Sequence, residues 1–169
     1  ETPRKIAVLE EVERLEKDPA VERCYTSFKK WLSQYFEIIP YPIPSFEYAL
    51  SAYHIIADAE ASSNLSRITN EISTPSSVLN NYQEMITHYR SELLGEEVKR
   101  RVLLGVFTLS ARYKEGYYQH AFYAREHIKR EFANIFKDVE AILTPTTITT
   151  AFPFGARIDP IKMYYSDIC

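Results

Sequence analysis

Lys5-Ile6-Ala7-Val8-Leu9, then Asp18-Pro19, then Phe36-Glu37-Ile38-Ile39: these three stretches decide the fold class. The first is a short apolar run bounded by charge, the pattern of a buried strand. Asp18-Pro19 opens a helix, because Asp can accept hydrogen bonds from free backbone N–H groups and Pro suits the first helical position. Val21, Cys24, Phe28, Trp31, Leu32 and Tyr35 then recur at helical spacing and form one apolar stripe. Phe36-Glu37-Ile38-Ile39 resumes strand character, and Pro40, Pro42 and Pro44 are expected to end it, since proline cannot donate to a sheet ladder. Strand, helix and strand within about forty residues outline a βαβ unit, and so an α/β sheet.

Helices dominate the chain beyond this unit. Ser45 begins a stretch carrying Tyr48, Ala49, Ala52, Tyr53 and Ile56, which continues to Asn64. Residues 66–77 lose the pattern and read as a loop, within which Thr74-Pro75 repeats the cap-then-proline signal. A helix bearing Val78, Leu79, Tyr82, Met85, Ile86 and Tyr89 should follow and end at Gly95. Glu96 and Glu97 suit the N-terminus of the next helix, whose buried face is expected to hold Val98, Val102, Gly105, Val106 and Leu109. A further helix covers about Gly116 to Lys137, Val139-Glu140-Ala141-Ile142-Leu143 reads as a strand, and the tail with Pro153, Gly155, Asp159 and Pro160 reads as loop.

At 169 residues, 46% of them hydrophobic and 25% charged, the chain has the size and balance of one globular domain. A formal charge of −3 gives no bulk attraction for nucleic acid. Four glycines are too few for a glycine-rich phosphate or oxyanion loop. Cys24 and Cys169 make no disulfide framework and fit a reducing compartment. No apolar run reaches the length of a membrane span, and the N-terminus lacks the pattern of a signal or transit peptide. The chain starts on a strand-like segment and stops without a closing element, so both ends read as cuts through a larger fold.

Arg101 is the most informative chemical position. It falls on the helix face shared by Val98, Val102 and Gly105, where a guanidinium must find an anion. Two readings stand: a structural ion pair, or a fork that clamps a substrate carboxylate. Asp58 and Glu60 sit two apart, point to different faces, and read as caps or surface carboxylates. Ser62 and Ser63 read as turn or cap hydroxyls, with no base or oxyanion hole nearby. His54, His88, His120 and His127 show no metal-ligand spacing, so no metal site is expected. Between Arg112 and Arg130, Tyr117, Tyr118, Phe122 and Tyr123 alternate with Lys114, Arg125 and Lys129. Such interleaving can hold single-stranded RNA, although aromatics at helical spacing are more often core and the basic residues a solvated face.

Four stretches carry a family resemblance. They are Tyr48-Ala49-Leu50-Ser51-Ala52-Tyr53-His54-Ile55-Ile56-Ala57 with Glu60-Ala61-Ser62-Ser63-Asn64-Leu65-Ser66-Arg67; Gly95-Glu96-Glu97-Val98-Lys99-Arg100-Arg101-Val102-Leu103-Leu104-Gly105; Ala141-Ile142-Leu143-Thr144-Pro145-Thr146; and Asp159-Pro160 with Met163-Tyr164-Tyr165-Ser166-Asp167-Ile168. In content, order and approximate spacing they resemble the amidase-signature family, and within it the A subunits of tRNA-dependent amidotransferases. The resemblance covers nearly the whole chain. It departs after Ser66-Arg67, where the family continues with an aromatic residue and a segment containing glycine and arginine. Here the sequence is Ile68-Thr69-Asn70-Glu71-Ile72-Ser73.

The resemblance implies an α/β/α fold around a mixed central sheet, incomplete in this chain, with residues 1–169 forming its C-terminal segment. It implies a glutaminase that releases ammonia from glutamine or asparagine, for conversion of glutamyl-tRNA(Gln) or aspartyl-tRNA(Asn) to the amide form. The Ser–Ser–Lys triad that hydrolyses the amide would lie in a preceding half, leaving this segment alone inactive. Tyr53, Arg101 and Asp167 align with glutamine-pocket positions, Arg101 holding the α-carboxylate and Asp167 the α-ammonium. With this alignment the clamp becomes the preferred reading of Arg101. The implied partners are subunits B and C and, through the complex, aminoacylated tRNA. This chain would need no cofactor, while its partner in the complex would use ATP and Mg. The expected location is the cytoplasm or an organellar matrix, without a membrane. Two rivals remain: an amidase-signature hydrolase of simple amides, and a non-catalytic module that binds a partner or RNA.

Overall fold

The computed structural model describes residues 4–67, 81–110, 112–154, 160–165, 168 and 169. Three strands form one parallel sheet in the order β2-β1-β3: β1 (Lys5–Leu9), β2 (Glu37–Tyr41) and β3 (Ala141–Leu143). Ile6 pairs with Ile38 on one side and with Ala141 on the other. The strand-helix-strand reading therefore holds, and of the residues 139–143 expected as a strand, Ala141–Leu143 supply the third. All described pairings are parallel, so these strands do not include an antiparallel member of the expected mixed sheet. Pro40 does not end β2: it pairs with Val8 inside the strand. This is tolerated because β2 is an edge of the described sheet, where a missing N–H interrupts no second ladder.

The helices are α1 (Glu10–Glu13), α2 (Pro19–Leu32), α3 (Ala49–Leu65), α4 (Tyr82–His88), α5 (Glu96–Leu109), α6 (Gln119–Ile135) and α7 (Pro160–Tyr165). A 3-10 turn, Pro44–Tyr48, leads into α3, and π-type turns occupy Tyr89–Leu93 and Lys114–Tyr118. The tail is therefore not all loop, since α7 begins at Pro160. Asn81 opens α4: its Oδ1 accepts the Glu84 N–H at 2.9 Å, and its amide donates to the Glu84 carboxylate at 3.1 Å. Thr74, Pro75, Val78, Leu79 and the divergent stretch 68–73 lie outside the described residues.

The chain divides into two compact units, residues 1–50 with 124–169, and residues 51–123. The core of the first joins Ala7, Leu9, Val12, Ile43, Ile135 and Val139. Two carboxylates satisfy backbone groups beside it. Glu11 accepts the Ile43 N–H at 2.8 Å, and Glu131 accepts both the N–H and the hydroxyl of buried Ser45. Glu13 takes hydrogen bonds from Tyr25 at 2.6 Å and from Lys29. Burial pushes the Glu13 carboxyl up, but these two donors outweigh it and hold the group below its ordinary range.

Two expectations about α2 need correcting. Tyr25 and Leu32 are its buried residues, whereas Cys24 is exposed and Phe28, Trp31 and Tyr35 form a ladder of exposed rings with centroids 5.6 and 5.3 Å apart. The Asp18 side chain does not cap the helix. Its carboxylate instead accepts the N–H and hydroxyl of Thr150, at 3.1 and 2.7 Å, tying the start of α2 to the segment after β3.

Candidate functional site

Within the unit of residues 51–123, α3 and α5 meet backbone to backbone. A Cβ placed on Gly105 would stand 2.1 Å from the Asp58 carbonyl oxygen and 2.5 Å from the Ser62 Cβ. Only hydrogen fits there, so Gly105 permits the approach. The line of α5 facing this contact is Arg101, Gly105 and Thr108, spaced i, i+4, i+7; Gly105 and Thr108 are its buried members. Val106, expected on that face, is exposed instead. On α3 the matching line is His54, Asp58 and Ser62, with Asp58 and Ser62 buried.

Arg101 lies one turn before the crossing. Its Nε donates to Glu97 at 3.0 Å, the i,i+4 geometry available on one helix, and its side chain is 31% exposed. Glu97 also takes Arg100, at 2.7 Å. The Tyr53 hydroxyl hydrogen-bonds the same guanidinium from α3. The Glu97 hydrogen bond raises the Arg101 pKa most; burial opposes the rise, while Tyr53 and the Asp58 charge add to it. The cation is thus permanent and partly sheltered, already held in an ion pair. A planar guanidinium offers five donors, more than Glu97 and Tyr53 take up.

Asp58 is the residue that the sequence reading misjudged. It is 3% exposed, neither a cap nor a surface group, and its Oδ1 accepts no hydrogen bond among the described residues. Burial pushes its carboxyl upward, His54 and Arg101 pull it down, and Glu97 adds to the rise. A signal was available: Asp58 sits between Ala57 and Ala59, one helical turn after His54. Glu60 is exposed, as expected. Ser62 is buried inside α3 and lines an apolar-walled cavity of about 550 Å³ with Leu65, Leu94, Val102 and Val106.

The structure brings Tyr53 and Arg101 together, and Asp167 lies outside the described residues. His127 pairs with Glu131 across one helical turn, and His120 bonds the Gly116 carbonyl. Among the described residues no three His, Cys, Asp or Glu side chains gather as a metal site, and no helix is long and apolar enough to cross a membrane. Of the aromatic-basic stretch, Tyr117 and Tyr123 are exposed, and Tyr113 and Tyr117 cluster with Phe107 while Arg112 covers the Tyr113 ring.

The amidase family profile matches residues 1–169. The chain belongs to the amidase family. Among curated amidase relatives, the A subunit of the Halothermothrix orenii glutamyl-tRNA(Gln) amidotransferase is 46% identical over 127 residues, which is 75% of this chain and 27% of that protein. Its counterpart of the same name from Methanospirillum hungatei is 42% identical over 131 residues, 77% of this chain and 30% of its own length. The crystal structure of the A subunit of the Thermotoga maritima glutamyl-tRNA(Gln) amidotransferase superposes with a TM-score of 0.68 at 32% identity, covering 98% of this chain and 31% of that one. An amidase crystal structure at 17% identity, TM-score 0.66, shares the fold over 91% of the chain and 30% of its own. The chain therefore spans about a third or less of the length of these relatives, and its helices and small parallel sheet are an incomplete amidase-signature α/β fold.

Proposed function

We propose that this chain is the C-terminal, substrate-binding portion of the A subunit of a tRNA-dependent amidotransferase, a glutaminase. One observation carries the reading: Tyr53 and Arg101, drawn from two motifs far apart in sequence, meet at one partly buried guanidinium. Arg101 would hold the α-carboxylate of glutamine with the donors that Glu97 and Tyr53 leave over, and Asp167 would hold the α-ammonium. Such a site would accept a zwitterion and would lose its charge-assisted contacts with an amide that lacks those charges. Hydrolysis would fall to a Ser–Ser–Lys triad supplied outside residues 1–169, so the chain alone would be inactive. The ammonia would pass to a partner that amidates glutamyl-tRNA(Gln) or aspartyl-tRNA(Asn) with ATP and Mg, in a heterotrimer with subunits B and C, in the cytoplasm or an organellar matrix.

Substrate comparison in the complete protein tests this. We expect kcat/KM for glutamine to exceed that for propionamide, a neutral amide, by on the order of 10³-fold or more, the discrimination of a site built around charged groups. Equal rates on the two amides would favour a hydrolase of simple amides instead.

A further inference from the structure

We infer that Asp58 is a positioning residue for Arg101: a carboxylate sealed into the α3–α5 crossing whose charge is a through-space anchor for the guanidinium and leaves its N–H groups to a substrate carboxylate. This rests on the glutamine-pocket reading given above and adds to it a residue that no motif marks.

The geometry has three parts. Asp58 is 3% exposed with Oδ1 accepting no hydrogen bond among the described residues, an arrangement that is costly unless a nearby cation uses the charge. Its backbone cannot drift, because the Asp58 carbonyl lies against Gly105, where a Cβ would come within 2.1 Å. Arg101 stands one turn before Gly105 on α5, so Asp58 and Arg101 share one face of the crossing. Glu97 holds Arg101 from the same helix through a hydrogen bond to Nε, while the Asp58 charge attracts it through space from α3. Two anions on different helices constrain the position of the guanidinium more than one i,i+4 pair does.

The charged and titratable groups facing Asp58 are His54 from its own helix and Arg101 and Glu97 from α5. Burial pushes the Asp58 carboxyl up against the pull of His54 and Arg101. Asp58 therefore loses its charge at a higher pH than an exposed aspartate, and the anchor disappears with it. Glutamine KM should rise as pH falls through that raised value.

The test measures glutamine kinetics in the complete amidotransferase for the wild type, Asp58→Asn and Arg101→Ala, beside amidation driven by ammonium chloride as a check of assembly. Asp58→Asn should raise glutamine KM about tenfold with kcat near wild type, the size expected for losing one sheltered through-space charge attraction, and should flatten the acid rise in KM. The inference is overturned by a wild-type KM in Asp58→Asn, or by KM, kcat and ammonium-driven amidation all worsening in step, the mark of a purely structural role. The wild-type pH profile needs no variant: a KM that stays flat on acidification also overturns it. If Arg101→Ala leaves KM unchanged, the glutamine-pocket reading itself fails. If Arg101→Ala raises KM and Asp58→Asn does not, only the role of Asp58 fails.

Discussion

Replacing Gly105 with alanine tests the contact on which the site depends. The added Cβ would stand 2.1 Å from the Asp58 carbonyl oxygen, 2.5 Å from the Ser62 Cβ and 2.7 Å from the Asp58 carbonyl carbon. Two of these are backbone atoms of a helix, which cannot rotate aside as a side chain would. Relief needs a separation of about 1 Å between α3 and α5, since non-bonded carbon and oxygen settle above about 3 Å. Overpacking of this kind costs about 1–3 kcal/mol, and alanine returns about 1 kcal/mol over glycine inside a helix. The net expectation is a loss of up to about 2 kcal/mol, with Arg101 drawn away from Tyr53. Gly116→Ala is the control, because a Cβ there meets nothing within 4 Å. Urea unfolding of the complete protein with each variant is the assay, followed by glutamine KM. Equal midpoints for Gly105→Ala and Gly116→Ala would refute the close crossing.

Other consequences can be measured in the same way. Glu131→Ala leaves the N–H and hydroxyl of buried Ser45 without their acceptor and should cost about 1–3 kcal/mol in urea unfolding; Glu131→Gln, which keeps an acceptor oxygen, should cost less. Lys29 and Tyr25 hold the Glu13 carboxyl below its ordinary range despite burial. Its stabilisation should be fully present above the ordinary glutamate pKa and lost as pH falls through the depressed value. Glu13→Gln should reduce this acid-side slope of the unfolding midpoint, and an unchanged slope would show that the pair contributes nothing.

Much of the architecture was legible because local signals and the final packing agree. The strand at Lys5–Leu9, the helix opened by Asp18-Pro19, the helix opened at Gly95 and the strand at 141–143 all follow from short apolar runs and terminal residues. Partners distant in sequence were not legible. Asp18 carries the right chemistry for a cap, yet Thr150 takes its carboxylate. On α2, the spacing of Phe28, Trp31 and Tyr35 marks an apolar face but cannot say whether the described residues cover it, and they do not. On α5, valine spacing pointed to Val106, whereas the buried line is set by Gly105, the residue small enough for contact. The motifs mark Arg101 and Tyr53 as candidates; Asp58, two positions from Glu60, reads in sequence as a cap or surface carboxylate, and only the packing of α5 shows that it is buried.

Glutamine kinetics of Arg101→Ala in the complete enzyme bear most directly on the central claim. If the guanidinium binds the α-carboxylate, KM should rise on the order of tenfold to a hundredfold, the worth of a charge-assisted hydrogen-bonding pair, while ammonium-driven amidation proceeds as in the wild type. An unchanged glutamine KM and kcat would contradict the account and return Arg101 to a structural ion pair with Glu97.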